Sequence, residues 1–258
     1  MVFVPTFKSI FFLVIGGLLP SLIWLWFWLK EDRSKPEPKS LVVETFLLGG
    51  LGVFLAFYLE RFAVQGFDLG LLETVKIDFY SWSGALAQMW PILSVFFSWA
   101  LIEEFVKYLA ALLLAFHSKA FDEPIDAMIY MISAALGFAA IENSLFLHKT
   151  LSMGLSGFDF LMNGNLRFLG ATLLHVFSSA LLGAFIAMSL RDTGIKRLLK
   201  IVIGVLTASL LHALFNFFII VSGGDSIFII LIALWIFTLL IFVLFEKIKK
   251  LNFPYVQR

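Results

Sequence analysis

Seven long apolar segments run through the chain, and they constrain its fold more than any other feature. A helix needs about 20 apolar residues to cross a hydrocarbon layer about 30 Å thick. The segments, with boundaries soft by a few residues, are Phe7–Leu29, Leu41–Leu59, Trp90–Phe116, Pro124–Leu147, Phe168–Leu190, Leu198–Val221 and Ser226–Phe245. Membrane-spanning β-strands are shorter and alternate in hydrophobicity. The sequence therefore predicts an all-α, polytopic transmembrane helix bundle with about seven spans.

The composition excludes most other classes of protein. Of the 258 residues, 61% are hydrophobic and 14% are charged, whereas a soluble domain has about 45–50% apolar and about 25% charged residues. The formal net charge is only +1, so nucleic acid is not an expected partner. The absence of cysteine excludes disulfides and thiolate chemistry. With no internal repeat, we expect one membrane-embedded domain over residues 1–258, with a motif-bearing core at about 90–221.

Lysine and arginine are distributed unevenly over the predicted loops, and this indicates the orientation. With the N-terminus outside, the inner segments hold 13 of these residues and the outer segments hold 5. Because cytoplasmic loops carry the excess of positive charge, the prediction is N-out and C-in, in the plasma or inner membrane. Charged residues in the segment 62–89 would be costly at membrane depth. We therefore expect this segment to lie at the extracytoplasmic interface.

A short set of polar residues lies inside the predicted spans. An ionisable residue at membrane depth is costly, faces the bundle interior and indicates a functional site. In the third span, Lys107 is four residues from Glu103 and three from Glu104, so it can pair with both. Two carboxylates and one ammonium leave a net negative charge, which suits a general base. Later spans add Glu142, His175, His212 and Asn216.

The depth of these residues is similar in four different spans. At 1.5 Å per residue, they lie roughly 8–20 Å below the outer surface. A site in this slab would meet its substrate from the extracytoplasmic side. Each residue also has a purely structural interpretation: an ion pair that fixes helix packing, a carboxylate that reaches the headgroups, or a histidine that bonds between helices. Their number and shared depth favour a site.

The residue types at this depth limit the chemistry. The sequence contains no H-E-x-x-H zinc motif, no pair of aspartates at membrane depth and no serine in a Gly-flanked nucleophile turn. What remains is glutamate with histidine and asparagine. This set suits a water molecule activated by a carboxylate, with His and Asn side chains stabilising the oxyanion. It also suits a Glu/His metal site.

Four motifs on consecutive spans resemble those of PrsW-type intramembrane proteases, which belong to the wider superfamily of CAAX prenyl endopeptidases and ABI (bacteriocin-immunity) membrane proteins. The motifs are E-E-F-V-K at 103–107, F-A-A-I-E-N at 138–143, His175 with Gly183 eight residues on, and H-A-L-F-N at 212–216. The stretch E-P-I-D-A-M-I-Y at 123–130 also resembles the PrsW subgroup. CAAX enzymes show E-E-x-x-x-R where this chain has E-E-x-x-K, which favours the PrsW branch.

The resemblance implies an endopeptidase that cuts a single-pass membrane protein near the membrane surface, by analogy the first cut in an anti-sigma factor. In this scheme Glu103 activates water, and Glu104 and Lys107 orient it. His212 and Asn216 stabilise the oxyanion.

Two further residues complete the implied site. His175 acts as a donor or ligand, and Glu142 stands where the CAAX branch has a histidine. We expect no required cofactor. A zinc ion, if one binds, is expected on Glu142, His175 and His212.

Two other functions are compatible with the same residues. A proton-coupled transporter would use the Glu, His and Lys side chains as a relay, but the sequence shows neither interrupted helices nor paired repeats. A non-catalytic scaffold or immunity protein of the ABI type would keep the motifs without cutting. The presence of every motif residue favours an active enzyme.

Overall fold

The computed structural model describes residues 7–31, 35–65, 82–152, 158–221 and 227–251. Within these ranges the chain forms seven α-helices and no β-strand. The helices are α1 (Phe7–Glu31), α2 (Lys39–Ala63), α3 (Trp82–Leu114), α4 (Asp126–Ser152), α5 (Phe158–Ser189), α6 (Gly194–Val221) and α7 (Ile227–Lys249). Each contains a segment long and apolar enough to cross a membrane. The predicted all-α bundle with about seven spans is confirmed, and the N-out orientation stays a prediction.

Two helices begin well before the apolar segments that predicted them. Helix α3 begins at Trp82 rather than near Trp90, and α5 begins at Phe158 rather than near Phe168. Hydropathy marks only the part of a helix that suits hydrocarbon, so helical turns outside that part escape it.

The predicted interfacial segment 62–89 is only partly described. Its first residues end α2, and residues 82–89 form the first two turns of α3. Residues 66–81 lie outside the described residues, so the interfacial placement stays a prediction.

Helix α4 forms the centre of the bundle. It packs against α1, α2, α3 and α5, and every residue from Pro124 to Ala140 is buried. In its spanning segment 72% of the residues are buried, compared with 22% in α7 at the periphery. Because protein surrounds α4 on all sides, its apolar residues are distributed around the whole helix.

Glycines allow α2 and α5 to approach α4 closely. A Cβ added at Gly137 of α4 would collide with the carbonyl group of Phe46 on α2. A Cβ added at Gly183 of α5 would lie 2.7 Å from the Cα of Met128 on α4. Close backbone approach is a main source of helix association in membranes, where lipid gives no hydrophobic driving force between helices. Gly183 therefore sets the position of the helix that carries His175.

The stretch 123–130 anchors the start of α4 through polar contacts. The carboxylate of Asp126 accepts hydrogen bonds from the backbone N–H groups of Asp122 at 2.9 Å and Glu123 at 2.6 Å. The hydroxyl of Tyr130 donates to the carboxylate of Glu37. These contacts fix the backbone of the α3–α4 connection just before α4, and they tie the α1–α2 connection to α4.

Gly137→Ala is expected to lower the thermal unfolding temperature of the detergent-solubilised protein. The new methyl group meets a backbone carbonyl that cannot move aside, and overpacking of this kind costs typically about 1–3 kcal/mol. The matched control is Gly170→Ala, whose added Cβ would have Leu231 Cδ2 as its nearest contact at 3.3 Å. Equal unfolding temperatures for the two variants would contradict the tight α2–α4 crossing.

Candidate active site

Six of the seven predicted site residues meet in one buried cluster, where hydrogen bonds and ion pairs connect them. They are Glu103, Glu104 and Lys107 on α3, Glu142 on α4, His175 on α5 and His212 on α6. The seventh, Asn216, lies one turn beyond His212 on α6 and is half-buried. In the part of the chain that the structure describes, no hydrogen bond joins the Asn216 side chain to the cluster.

The ammonium group of Lys107 lies at the centre of the cluster. Lys107 is fully buried, and its Nζ lies 2.8 Å from Glu104 Oε1 and 3.3 Å from Glu103 Oε2. It also lies 2.8 Å from His175 Nδ1 and 4.5 Å from the ring centroid of Phe138. An ammonium group has three donors, and the three polar partners use all of them.

Glu104 is fully buried and fully engaged. Its carboxylate accepts hydrogen bonds from Lys107 Nζ at 2.8 Å and His212 Nδ1 at 3.0 Å. Two adjacent serines of α5 also donate to it, Ser178 at 2.8 Å and Ser179 at 2.7 Å. Three of the four donors contact Oε1, Ser179 contacts Oε2, and no part of the Glu104 side chain is exposed. Glu104 therefore positions its neighbours and is out of reach of a substrate.

Glu103 is adjacent in sequence but differs in its surroundings. Its side chain is 12% exposed, and its Oε2 pairs with Lys107 at 3.3 Å. The same oxygen lies 3.7 Å from His175 Nδ1 and 3.8 Å from His212 Nε2, beyond hydrogen-bond distance. Among the described residues, Lys107 is the only side chain that hydrogen-bonds to Glu103. Glu103 is thus the carboxylate of this pair that remains available to water.

Hydrogen-bond partners assign the protons of the two histidines. Because the Lys107 ammonium can only donate, His175 Nδ1 accepts, and His175 Nε2 donates to Glu142 Oε2 at 2.7 Å. His212 Nδ1 donates to the carboxylate of Glu104, which leaves His212 Nε2 for a group that enters the site. The two rings form an edge-to-face pair with centroids 5.0 Å apart.

Ser178 and Ser179 are site residues that the sequence reasoning missed. Both lie one turn beyond His175 on α5, where they supply two of the four donors to Glu104. Two adjacent hydroxyls in a buried span were the available signal, but serines in membrane helices commonly bond to their own backbone.

Glu60 is a further residue near the site that the sequence analysis missed. The predicted span ended at Leu59, which put Glu60 in a loop, whereas α2 continues to Ala63. Glu60 is half-buried, and its charge is close enough to interact with those of Glu103 and Glu142. The site therefore carries one more carboxylate than the sequence indicated.

Among the described residues, Glu103, His175 and His212 form a group that could hold a metal ion, with ligand atoms within 4.8 Å of one another. Two histidines and one carboxylate match the donor set of catalytic zinc sites. The other ring nitrogens contact Glu142 and Glu104, an arrangement that orients metal-binding imidazoles. The donor set thus fits zinc, but with Glu103 in place of the predicted Glu142, which contacts the far nitrogen of His175.

Lys107 competes with an ion for this group. Its ammonium contacts His175 Nδ1 at 2.8 Å and Glu103 Oε2 at 3.3 Å, which are two of the three ligand atoms. The nitrogen has one lone pair, and an ammonium repels a dication at such distances. Binding of a metal therefore requires Lys107 to release both groups while it keeps Glu104.

Comparison with known proteins agrees with this arrangement of residues. The profile of the family described as "PrsW family intramembrane metalloprotease" matches residues 37–244. The chain belongs to the PrsW family. This confirms the family that the four motifs suggested, and it makes the chain a multi-pass membrane protease.

Curated relatives named Protease PrsW extend over most of the chain. The one from Halalkalibacterium halodurans is 24% identical over 249 residues, which are 94% of this chain and 98% of that protein. The one from Bacillus subtilis is 22% identical over 235 residues, 91% and 90% of the two chains. The one from Geobacillus kaustophilus is 31% identical over 137 residues, about half of each chain (53% and 52%). No solved structure shows significant similarity.

Ser179→Ala is expected to lower kcat by about 10- to 100-fold with little change in KM. The change removes a donor from Glu104 Oε2, and a hydrogen bond to a charged group contributes about 1.5–3 kcal/mol, which is about 10- to 100-fold in rate. The assay follows cleavage of a tagged membrane protein in proteoliposomes. Ser133→Ala is the matched control, because Ser133 is buried and its hydroxyl bonds, within the described part of the chain, only to the Ile129 carbonyl of its own helix at 2.8 Å. Equal kcat values for the two variants would argue against a positioning role for Ser179.

Proposed function

We propose that the chain is an endopeptidase that hydrolyses a peptide bond of a single-pass membrane protein with water activated by Glu103. The contrast between two adjacent carboxylates carries this proposal. Glu104 is fully buried and contacts four donors, whereas Glu103 is held by one ion pair and remains partly exposed. A general base needs a free lone pair within reach of the water proton, and Glu103 meets that requirement.

The reaction follows from the positions of three side chains. Glu103 takes a proton from water while the water oxygen attacks the carbonyl carbon of the substrate. The resulting oxyanion receives a hydrogen bond from Nε2 of His212 in its doubly protonated form, whose charge Glu104 balances through Nδ1. The protonated Glu103 then gives its proton to the leaving amine as the C–N bond breaks.

The remaining predicted residues support this arrangement. Asn216 follows His212 by four residues on α6, so both occupy the same helix face, and Asn216 supplies a second donor to the oxyanion. Glu142 holds His175 in the form whose Nδ1 accepts from Lys107. Lys107 in turn holds Glu103 in place through their ion pair.

The family description also implies a metal-dependent form of the enzyme. Zinc would be held by Glu103, His175 and His212. When bound, it polarises a carbonyl and lowers the pKa of its bound water. In that form Glu104 and Glu142 orient the two imidazoles. We favour the form without metal because Lys107 already occupies His175 Nδ1.

The proposed cut lies near the extracytoplasmic face, and the proposed substrate is a membrane-bound regulator such as an anti-sigma factor. The bias of Lys and Arg favours the outside for the C-terminal ends of α4 and α6. Glu142 lies seven residues before Lys149, and His212 lies seven before Ile219. Both are thus about 10 Å from the outer ends of their spans.

Glu103→Gln is expected to abolish cleavage of a single-pass anti-sigma factor in proteoliposomes, because an amide cannot accept the water proton. Glu44→Gln, an exposed position on α2, is the matched control and should cut at the wild-type rate. We expect 1,10-phenanthroline to leave the wild-type rate unchanged. Cleavage by the Glu103→Gln variant would refute the role of Glu103. Inhibition by the chelator that zinc reverses would establish the metal-dependent form instead.

The orientation can be tested because the natural chain has no cysteine. A single Gln65→Cys change at the end of α2 should react with an impermeant maleimide on intact cells. A single Lys119→Cys change between α3 and α4 should react only after the membrane is opened. Both positions are exposed. The reverse pattern would place the catalytic cluster near the cytoplasmic face.

A further inference from the structure

A cavity of about 200 Å³ lies away from the active site, between the end of α3, the end of α5 and the start of α6. Its lining extends along α3 from Tyr108, the residue after Lys107, to Leu112, which is nine residues or about 13 Å from Glu103. None of the catalytic cluster lines it. We propose that this cavity binds an anionic phospholipid, with the phosphate on Arg197 and an acyl segment against the apolar wall.

The positive charge in the cavity lining favours an anionic ligand. Arg197 is half-buried in the lining, and among the described residues it forms no ion pair. Acids of the flanking connections are already engaged, since Asp192 pairs with Lys200 and Asp122 pairs with Lys35 at 3.3 Å. A guanidinium group in an apolar lining is stabilised by a charged acceptor, and phosphate accepts from it in two-pronged fashion.

His117 supplies a second polar group. Its Nδ1 lies 2.7 Å from the carbonyl oxygen of Leu112, so this nitrogen donates and Nε2 remains for a ligand. Lys119 and Lys196 flank the two lining residues in sequence and are exposed. An approaching anion therefore meets a positively charged surface.

The depth in the membrane of the apolar and the charged lining residues favours a phospholipid over a soluble anion. Tyr108 lies six residues inside the end of its membrane-spanning segment and Ile201 seven residues inside the start of its own, so this part of the wall lies at the level of hydrocarbon. Arg197 lies in the first turn of α6, and His117 lies in the α3–α4 connection, at the level of headgroups. A cation above an apolar wall matches a phosphate above its acyl chain, and basic pockets between helices are known to hold anionic headgroups.

The size of the cavity limits what enters. Its volume equals about seven water molecules at about 30 Å³ each, which admits one part of a lipid while the rest remains in the bilayer. A lipid bound there contacts α3, α5 and α6, the three helices that carry Lys107, His175 and His212. Its binding should therefore stabilise the folded protein.

The test measures thermal unfolding of the full-length protein in detergent, with dioleoyl phosphatidylglycerol, dioleoyl phosphatidylcholine or inorganic phosphate added. We expect a rise in unfolding temperature with phosphatidylglycerol alone. In native mass spectrometry, Arg197→Gln should weaken phosphatidylglycerol binding by about ten-fold, the effect of losing one charged hydrogen bond. Lys247→Gln, an exposed cation in the last turn of α7, is the control and should bind as wild type.

Two further variants separate loss of binding from a folding defect in Arg197→Gln. Arg197→Lys should keep most of the binding, and Ile201→Trp should block it by filling the cavity with the charge intact. Equal effects of the two phospholipids, a full effect of inorganic phosphate, or unchanged binding in both Arg197→Gln and Ile201→Trp would each overturn the proposal. None of these readings depends on proteolysis, so they are independent of the proposed function.

Discussion

One buried ammonium group, that of Lys107, connects the helices that carry the site. Removing an ammonium from water is costly unless its partners surround it, and Lys107 finds them on α3 and α5. Glu104 extends the network to His212 on α6, and His175 extends it to Glu142 on α4. Four helices therefore depend on the same set of contacts. Loss of one member leaves a charge uncompensated in the protein interior, so packing and chemistry are coupled here.

The two adjacent glutamates have different roles because they lie on different sides of α3. Their positions differ by about 100° around α3. This rotation directs Glu104 toward the paired serines of α5 and directs Glu103 toward the accessible edge of the cluster. The first has enough donors to stay in place, and the second keeps an acceptor site free. The same geometry also lets Glu103 join the histidine pair around a metal, at the expense of its contact with Lys107.

Close packing around α4 sets the distances within the cluster. Gly137 brings α2 against α4, and Gly183 brings α5 against it, with backbone meeting backbone. In a bilayer, such contacts replace the hydrophobic force that packs helices in water. The placement of His175 within 2.8 Å of Lys107 Nζ thus depends on residues that take no part in the reaction. The cavity lies where α3, α5 and α6 end or begin, and its lining includes Arg197, which forms no ion pair with the described residues.

The sequence by itself determined the all-α architecture, the seven spans and the six side chains that the structure brings into one network. These follow from local properties: apolar length, helical spacing and the cost of a charge at membrane depth. Only the tertiary structure decided that Glu104 is fully buried and Glu103 partly exposed, and that Ser178 and Ser179 contact Glu104. It also placed Glu60 close enough for its charge to interact with those of the cluster. It also decided that Glu103 rather than Glu142 completes the metal-competent group. These outcomes depend on how each helix is rotated and how closely it crosses its neighbours, and glycine contacts far apart in sequence set both.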